Sequence, residues 1–310
     1  MLKSILVFAL FLTVALSVKI NIDRTVHKVI EHETWIEEKN DLFRDVKVGS
    51  LLGWNKAKRP EDFEIYNMPG DSNALPTNFD ARQNWPNCST IATIQNQARC
   101  GSCWAFGAVE SISDRFCTMK NETVQLSFQD LVTCDGNDDG CQGGDAYSAY
   151  SYVQKKGLVT AACSPYTIPT CPPAQQPCLN FVNTPKCVEK CQSNYTGSFQ
   201  DDLHFVDKTY SVSSLTSMQT ELVNNGPFEA CFNVYEDFLG YKSGVYQHTT
   251  GKFLGGHCIK IMGYGELNGT PYWLAANSWT TYWGDQGTFM ILRGKNECGI
   301  ESDVVAGVPK

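Results

Sequence analysis

All fourteen cysteines of this 310-residue chain lie between Cys88 and Cys298, and the first 87 residues contain none. Disulfides form and persist in oxidising compartments, where cross-links hold a chain as firmly as its core does. The asymmetry therefore divides the sequence into a cysteine-free leading part and a cross-linked remainder.

The extreme N-terminus says how such a chain reaches an oxidising compartment. Lys3 is followed by an apolar run, Ile5–Leu16, interrupted only by Thr13, and Ala15-Leu16-Ser17 has the small-x-small form of a cleavage site. Twelve residues are too few for a membrane span of about 20, so residues 1–17 read as a secretory signal peptide. No other stretch is long and apolar enough to cross a bilayer. The sequons at Asn87, Asn121, Asn194 and Asn268 suit the same route, and Asn121 and Asn194 have the most favourable neighbours for glycosylation. The expected location is a lysosome-like acidic vacuole or the extracellular space.

Residues 18–74 carry 9 basic and 11 acidic side chains. Thr34–Phe43 has the spacing of a short amphipathic helix. Pro60, Pro69-Gly70 and Asp71-Ser72-Asn73 then form a breaker-rich stretch suited to proteolysis. This segment reads as a pro-segment removed on maturation, leaving 75–310 as the mature domain. That remainder holds 15 basic and 22 acidic residues and no basic stripe, which argues against nucleic acid as a partner.

The mature part changes character along its length. Apolar residues at Ala105, Ala108, Val109, Ile112 and Phe116 mark one face of a helix starting near Cys103, and Ala146–Lys156 reads as a second helix stopped by Gly157. Residues 163–191 are rich in Pro and Cys and lack periodicity. Beyond them, the stretches beginning at Phe228, Gly244, His257, Pro271 and Gly287 read as short strands between glycine-containing turns. A helical half followed by a strand-rich half predicts an α+β fold with a cleft between the halves.

The chemistry concentrates at Cys103. The free N–H groups and dipole at a helix start favour a thiolate, and a thiolate nucleophile needs a histidine and a group to orient it. His257 follows Gly255-Gly256 and opens an apolar strand. That strand turns at Asn268-Gly269 and returns to Asn277-Ser278-Trp279. Antiparallel pairing through the turn sets His257 opposite Asn277 within a couple of positions, so the amide can orient the imidazole.

Cys100-Gly101-Ser102-Cys103-Trp104 resembles the signature of the papain-like cysteine peptidases, with His257 and Asn277 downstream. Cys141-Gln142-Gly143-Gly144, Tyr241–His248, Asn268–Trp273 and Cys298–Gly307 bring the likeness closest to the cathepsin B branch, over residues 75–310. The resemblance implies a two-lobed fold, a helical lobe beside a barrel-like one. Cys103 would be the nucleophile, His257 the general acid/base and Asn277 its orienter. Gln97 would donate to the oxyanion, Trp279 would shield the His257–Asn277 bond, and Gly143 and Gly144 would hold substrate backbone. Asp303 would stand at the base of the pocket for the second residue upstream of the cut. Polypeptides would be the substrates and cystatin-type inhibitors possible partners of a monomer, with no cofactor and no metal.

The resemblance also implies the pairings Cys88–Cys117, Cys100–Cys141, Cys134–Cys187, Cys163–Cys191 and Cys171–Cys178. Cys231 and Cys258 are left to pair or to stay as thiols. In cathepsin B an occluding loop carries two adjacent histidines that hold the C-terminal carboxylate of a substrate, which makes the enzyme release dipeptides. The equivalent loop here lies within 163–191, and Pro172–Pro177 contains no histidine and no positive charge. Mainly endopeptidase activity is expected, unless Lys186, Lys190 or His204 reaches in. The alternatives are an inactive binding protein of the same fold, a thiol-disulfide oxidoreductase built on Cys100-x-x-Cys103, and a zinc site. The retained Cys103, His257, Asn277 and Gln97 weigh against the first, and the missing βαβ pattern and second close cysteine pair weigh against the others.

Overall fold

The computed structural model describes residues 29–38, 43, 48–61, 63–67, 75–170 and 182–310. The expected signal peptide, the cleavage-prone stretch 68–74 and the Cys171–Cys178 pair lie outside the described residues.

The first lobe is built around α3 (Cys103–Lys120), whose side chains are buried from Cys103 through Cys117. Its N-terminus follows Ser102, and Asn121 ends it in the left-handed conformation that asparagine tolerates. The short helices α1 (Ala81–Asn84) and α2 (Ser89–Ala92) precede it, and α4 (Phe128–Cys134) packs against it. The predicted second helix is α5 (Ala146–Lys156). The Asp145 carboxylate accepts from the Tyr147 N–H at its start, and Gly157 at φ 75° closes it. A further helix, α6 (Leu215–Asn225), lies between strands.

The second lobe is a sheet. Its strands are β1 (Val29–Glu31), β2 (Trp35–Glu38), β3 (Glu64–Tyr66), β4 (Phe79–Asp80), β5 (Val206–Val212), β6 (Phe228–Tyr235), β7 (Tyr241–Tyr246), β8 (Phe253–Leu267), β9 (Thr270–Ala276), β10 (Thr288–Leu292) and β11 (Asp303–Pro309). Among the described residues the order is β1-β2-β7-β10-β9-β8-β6-β11-β5-β3, with β4 paired to β8. One face packs an aromatic core that includes Phe232, Phe238, Trp283 and Phe289. The other face meets α3. Buried ion pairs cross that junction: Lys260 of β8 lies 2.9 Å from Asp114, and Arg115 of α3 lies 2.8 Å from Glu221 of α6. Truncating one member would strand a buried charge and cost about 3–5 kcal/mol.

The helix expected over Thr34–Phe43 is not formed; its described part contains strand β2 instead. Trp35 is buried against Tyr241 and Tyr246, Ile36 faces outward, and β2 pairs antiparallel with β7. A three-turn helix of mixed charge has little intrinsic stability, whereas an open sheet edge supplies both backbone partners and an aromatic seat. Four of the implied disulfides are present, Cys88–Cys117, Cys100–Cys141, Cys134–Cys187 and Cys163–Cys191. Cys231 pairs with Cys258 across β6 and β8, and Cys298 is a free thiol.

Candidate active site

Cys103 is the first residue of α3 and is fully buried. Its Sγ accepts the Gly53 N–H at 3.3 Å, and the backbone N–H groups of Cys258 and Trp104 also favour the thiolate. Burial outweighs them and pushes the thiol up to about 12. The expected thiolate is therefore not the form present here. A helix start stabilises negative charge only to the extent that desolvation permits, and here the chain itself fills the cleft.

His257 lies on β8, as predicted. Its Nε2 donates to Asn277 Oδ1 at 2.8 Å, and the Ser278 N–H donates to the same oxygen at 2.8 Å, so the amide orientation fixes the proton on Nε2. Nδ1 is left as a buried base with no hydrogen-bond partner. The two residues are not directly opposite one another. Lys260 pairs with Ala276, and a register shift between Ile261 and Gly263 offsets the strands. The side chains bridge the remaining gap. The Trp279 ring lies 4.7 Å from the imidazole and covers it. Burial pulls the imidazole down to about 4, so Cys103 and His257 are both neutral.

Gln97 is held on every side. Its Oε1 accepts from Ser278 Oγ at 2.7 Å, its N–H donates to the Ser278 carbonyl at 3.0 Å, and its own carbonyl accepts from Tyr166 Oη at 3.0 Å. Its Nε2 donates to the Leu51 carbonyl at 2.9 Å and to the Cys100 carbonyl at 2.7 Å. Ser278 and Tyr166 thus position this amide, and sequence reading did not single them out. Ser278 was in view between Asn277 and Trp279, but a serine there carries no signal until its Oγ is seen on Gln97.

Gly143 and Gly144 line the same cleft. The Cys100–Cys141 disulfide pins their loop to the start of α3, and Trp104 Nε1 donates to the Gly140 carbonyl at 3.0 Å. A Cβ on Gly144 would come within 2.5 Å of the Trp104 ring, so only glycine lets the backbone present its hydrogen-bonding edge here.

That edge is occupied by the chain's own residues 51–57. Gly144 donates to the Gly53 carbonyl at 2.9 Å, Asn55 donates to the Gly144 carbonyl at 2.8 Å, and Trp54 bridges Gly144 in the parallel sense. Lys56 Nζ lies 3.2 Å from Asp303 Oδ2, and Tyr147 Oη donates to Asp303 Oδ1 at 3.4 Å. Nothing in the sequence pattern marked 51–57 for this position. The segment gives the Cys103 sulfur the Gly53 N–H and gives the Gln97 amide the carbonyl of Leu51.

Residues 75–308 match the family model described as papain family cysteine protease. The chain belongs to the papain family of cysteine proteases. Within that family it is cathepsin B-like. It is 57% identical over 310 residues to cathepsin B of Dictyostelium discoideum, covering 99% of each chain. It is 45% identical over 278 residues to cathepsin B-like cysteine proteinase 4 of Caenorhabditis elegans, covering 82% of this chain and 81% of that one. The solved structure of procathepsin B S9 from Trypanosoma congolense is similar with a TM-score of 0.76 at 37% identity, covering 85% of this chain and 88% of the other.

The remaining sequence candidates fall in different places. His204 is not at the cleft: it packs on Phe116, well along α3 from Cys103, and pairs with Glu122 at 3.3 Å. Phe116 is thirteen residue steps along the helix from Cys103, about 20 Å along the axis. Lys186 and Lys190 line a separate depression with Gln129 and Thr133. Asn121 and Asn194 are both exposed. Among the described residues no helix is long and apolar enough to cross a membrane.

Proposed function

We propose that this papain-family chain is the precursor of an endopeptidase whose nucleophile is Cys103 and which is held shut by residues 18–74. The observation that carries the reading is the hydrogen bond from His257 Nε2 to Asn277 Oδ1, which leaves Nδ1 unpartnered, beside a Cys258 N–H that reaches the Cys103 sulfur. With 51–57 gone and water admitted, the thiol passes its proton to His257 Nδ1. The thiolate attacks the scissile carbonyl, while Gln97 Nε2 and the Cys103 N–H take the oxyanion. His257 then protonates the leaving amine, and a water activated by the same imidazole releases the acyl group. Trp279 keeps water from the His257–Asn277 bond. Gly143 and Gly144 pair with the substrate backbone, and the product chain is freed.

The neutral pair in the closed cleft and the ion pair in the open one hold the same number of protons. Opening therefore gains no pH dependence from Cys103 and His257 themselves. We assign the acid sensitivity of the grip on the segment to Asp145, whose carboxylate accepts the Ala57 N–H at 3.1 Å. Burial raises the Asp145 pKa while the Ala57 N–H works against that rise, so this hydrogen bond favours the carboxylate and weakens when Asp145 takes up a proton. This fits activation in an acidic compartment reached through the secretory pathway, after residues 1–17 have been removed.

Two specificity predictions follow from the cleft. Lys56 on Asp303 supports a pocket that takes Arg or Lys as well as apolar side chains. Asp303→Ala is expected to lower the ratio of Arg-Arg to Phe-Arg substrate cleavage by about 10-fold or more, the scale of one lost charge-assisted contact. An unchanged ratio would remove Asp303 from the pocket. The second concerns the ends of substrates. Gln175 and Gln176 offer only neutral hydrogen bonds where cathepsin B has charged histidines, and charge-assisted bonds are roughly twice as strong. A peptide with a free C-terminus should therefore be cut no more than a few-fold faster than its amidated form. Efficient dipeptide release that amidation abolishes would refute the endopeptidase assignment.

A further inference from the structure

The Cys231–Cys258 disulfide sits in a row of side chains that crosses three strands. Cys231 on β6 is in register with Cys258 on β8 and, on its other side, with Asp303 on β11. Residues in register on neighbouring strands project from the same face, so the disulfide and the Asp303 carboxylate lie side by side. Gly256, two residues before Cys258, shares that face, and a Cβ there would come within 2.6 Å of the Trp54 ring. Trp54, Tyr147, Cys231 and Cys258 belong to one buried apolar cluster, and Lys56 reaches Asp303 at its edge. The disulfide therefore lies on the face against which Trp54 packs, two residues along β8 from the point of contact at Gly256.

Behind that floor is Glu229. It is fully buried, and neither carboxylate oxygen has a hydrogen-bond partner. A carboxylate oxygen lies within 4.8 Å of both disulfide sulfurs. Gly107 of α3 makes the room, since a Cβ there would lie 2.7 Å from Glu229 Oε1. Lys260, in register with Glu229, turns instead to Asp114 and Glu110. Burial raises the Glu229 pKa well above the usual carboxylate range. A buried acid without a partner is costly, and no step of the reaction proposed above uses it.

We propose that the Cys231–Cys258 disulfide sets the selectivity of the Asp303 pocket by walling Glu229 off from an entering basic side chain. With the bridge intact, a substrate side chain meets one carboxylate and a polarisable, apolar sulfur floor, which suits aromatic and aliphatic groups as well as basic ones. With the bridge removed, the floor drops and a guanidinium can meet two acids, a geometry arginine exploits better than any other side chain. The inference rests on the reading that substrate side chains enter beside Asp303.

The test compares processed wild type with Cys231→Ala/Cys258→Ala on Arg-Arg and Phe-Arg coumarin substrates. The Arg-Arg to Phe-Arg ratio of kcat/KM is expected to rise about tenfold in the double variant, the lower range for one changed pocket contact, and to fall back when Glu229→Gln is added. A ratio unmoved by loss of the bridge, or a rise that survives Glu229→Gln, overturns the proposal. Glu229→Gln alone, with the disulfide intact, should leave the ratio where it was. A fall there would mean that Glu229 already faces the pocket, and would overturn the proposal even if the double variant does not fold. Asp303→Ala in the same assay separates the two claims. No effect of Asp303→Ala removes the pocket reading itself, whereas an effect of Asp303→Ala beside an inert disulfide removes only the present inference.

Discussion

Cys103→Ser should abolish peptide hydrolysis, lowering kcat by on the order of 10⁵-fold or more, as removal of a nucleophile does in other acyl-transfer enzymes. Cys103 is not in a disulfide, and serine differs from it by one atom, so the fold should be unaffected. The thermal midpoint of the variant checks this. His257→Ala should come close to the same loss, because nucleophile and base act as a unit. Substantial activity in a Cys103→Ser protein that melts with wild type would mean that the chain cuts peptides by other means or carries a contaminant.

The second large effect is at Gly53. A Cβ on this residue would lie 1.7 Å from the Gly101 carbonyl oxygen and 2.3 Å from its carbon. Both are backbone atoms, fixed by the Gly101 N–H bond to the Cys141 carbonyl and by the neighbouring Cys100–Cys141 disulfide. Neither side can yield, so alanine at Gly53 must lift the segment off Cys103. Overpacking of this kind costs about 1–3 kcal/mol. Unprocessed Gly53→Ala should therefore cleave substrate about 10–100-fold faster than the unprocessed wild-type chain, while the processed forms, which lack residue 53, stay identical. Equal rates for the unprocessed pair, or an unprocessed wild type as fast as the processed enzyme, would deny the segment its inhibitory role.

What sequence reading could reach was decided by how local the determining interactions are. The bounds of α5 were legible because Asp145 caps one end and Gly157 the other. Cys103 at a helix start was legible from the apolar spacing that follows it. Strand β5 was not read, because its residues are buried irregularly and show no clean alternation, and β11 is buried on nearly every side. The strand at Trp35 was misread as helix because its partner, β7, is two hundred residues away. The neutral state of the covered site is not legible locally either. The local sequence around Cys103 favours a thiolate, but the burial that opposes it is a property of the whole fold and carries no local motif. Pairing of Cys231 with Cys258 was undecidable from spacing and follows only from the register of β6 on β8.

The central claim is that Cys103 is the nucleophile and that residues 51–57 keep it neutral and covered. Its most direct test is to treat processed and unprocessed protein with a peptidyl epoxide at pH 6 and map the adduct by mass spectrometry. The processed form should carry a single adduct, on Cys103. The unprocessed form should stay essentially unlabelled, since a thiol held at about 12 has a thiolate fraction on the order of 10⁻⁶ at that pH. Labelling at Cys298 in place of Cys103, or equal labelling of Cys103 in both forms, would contradict the account.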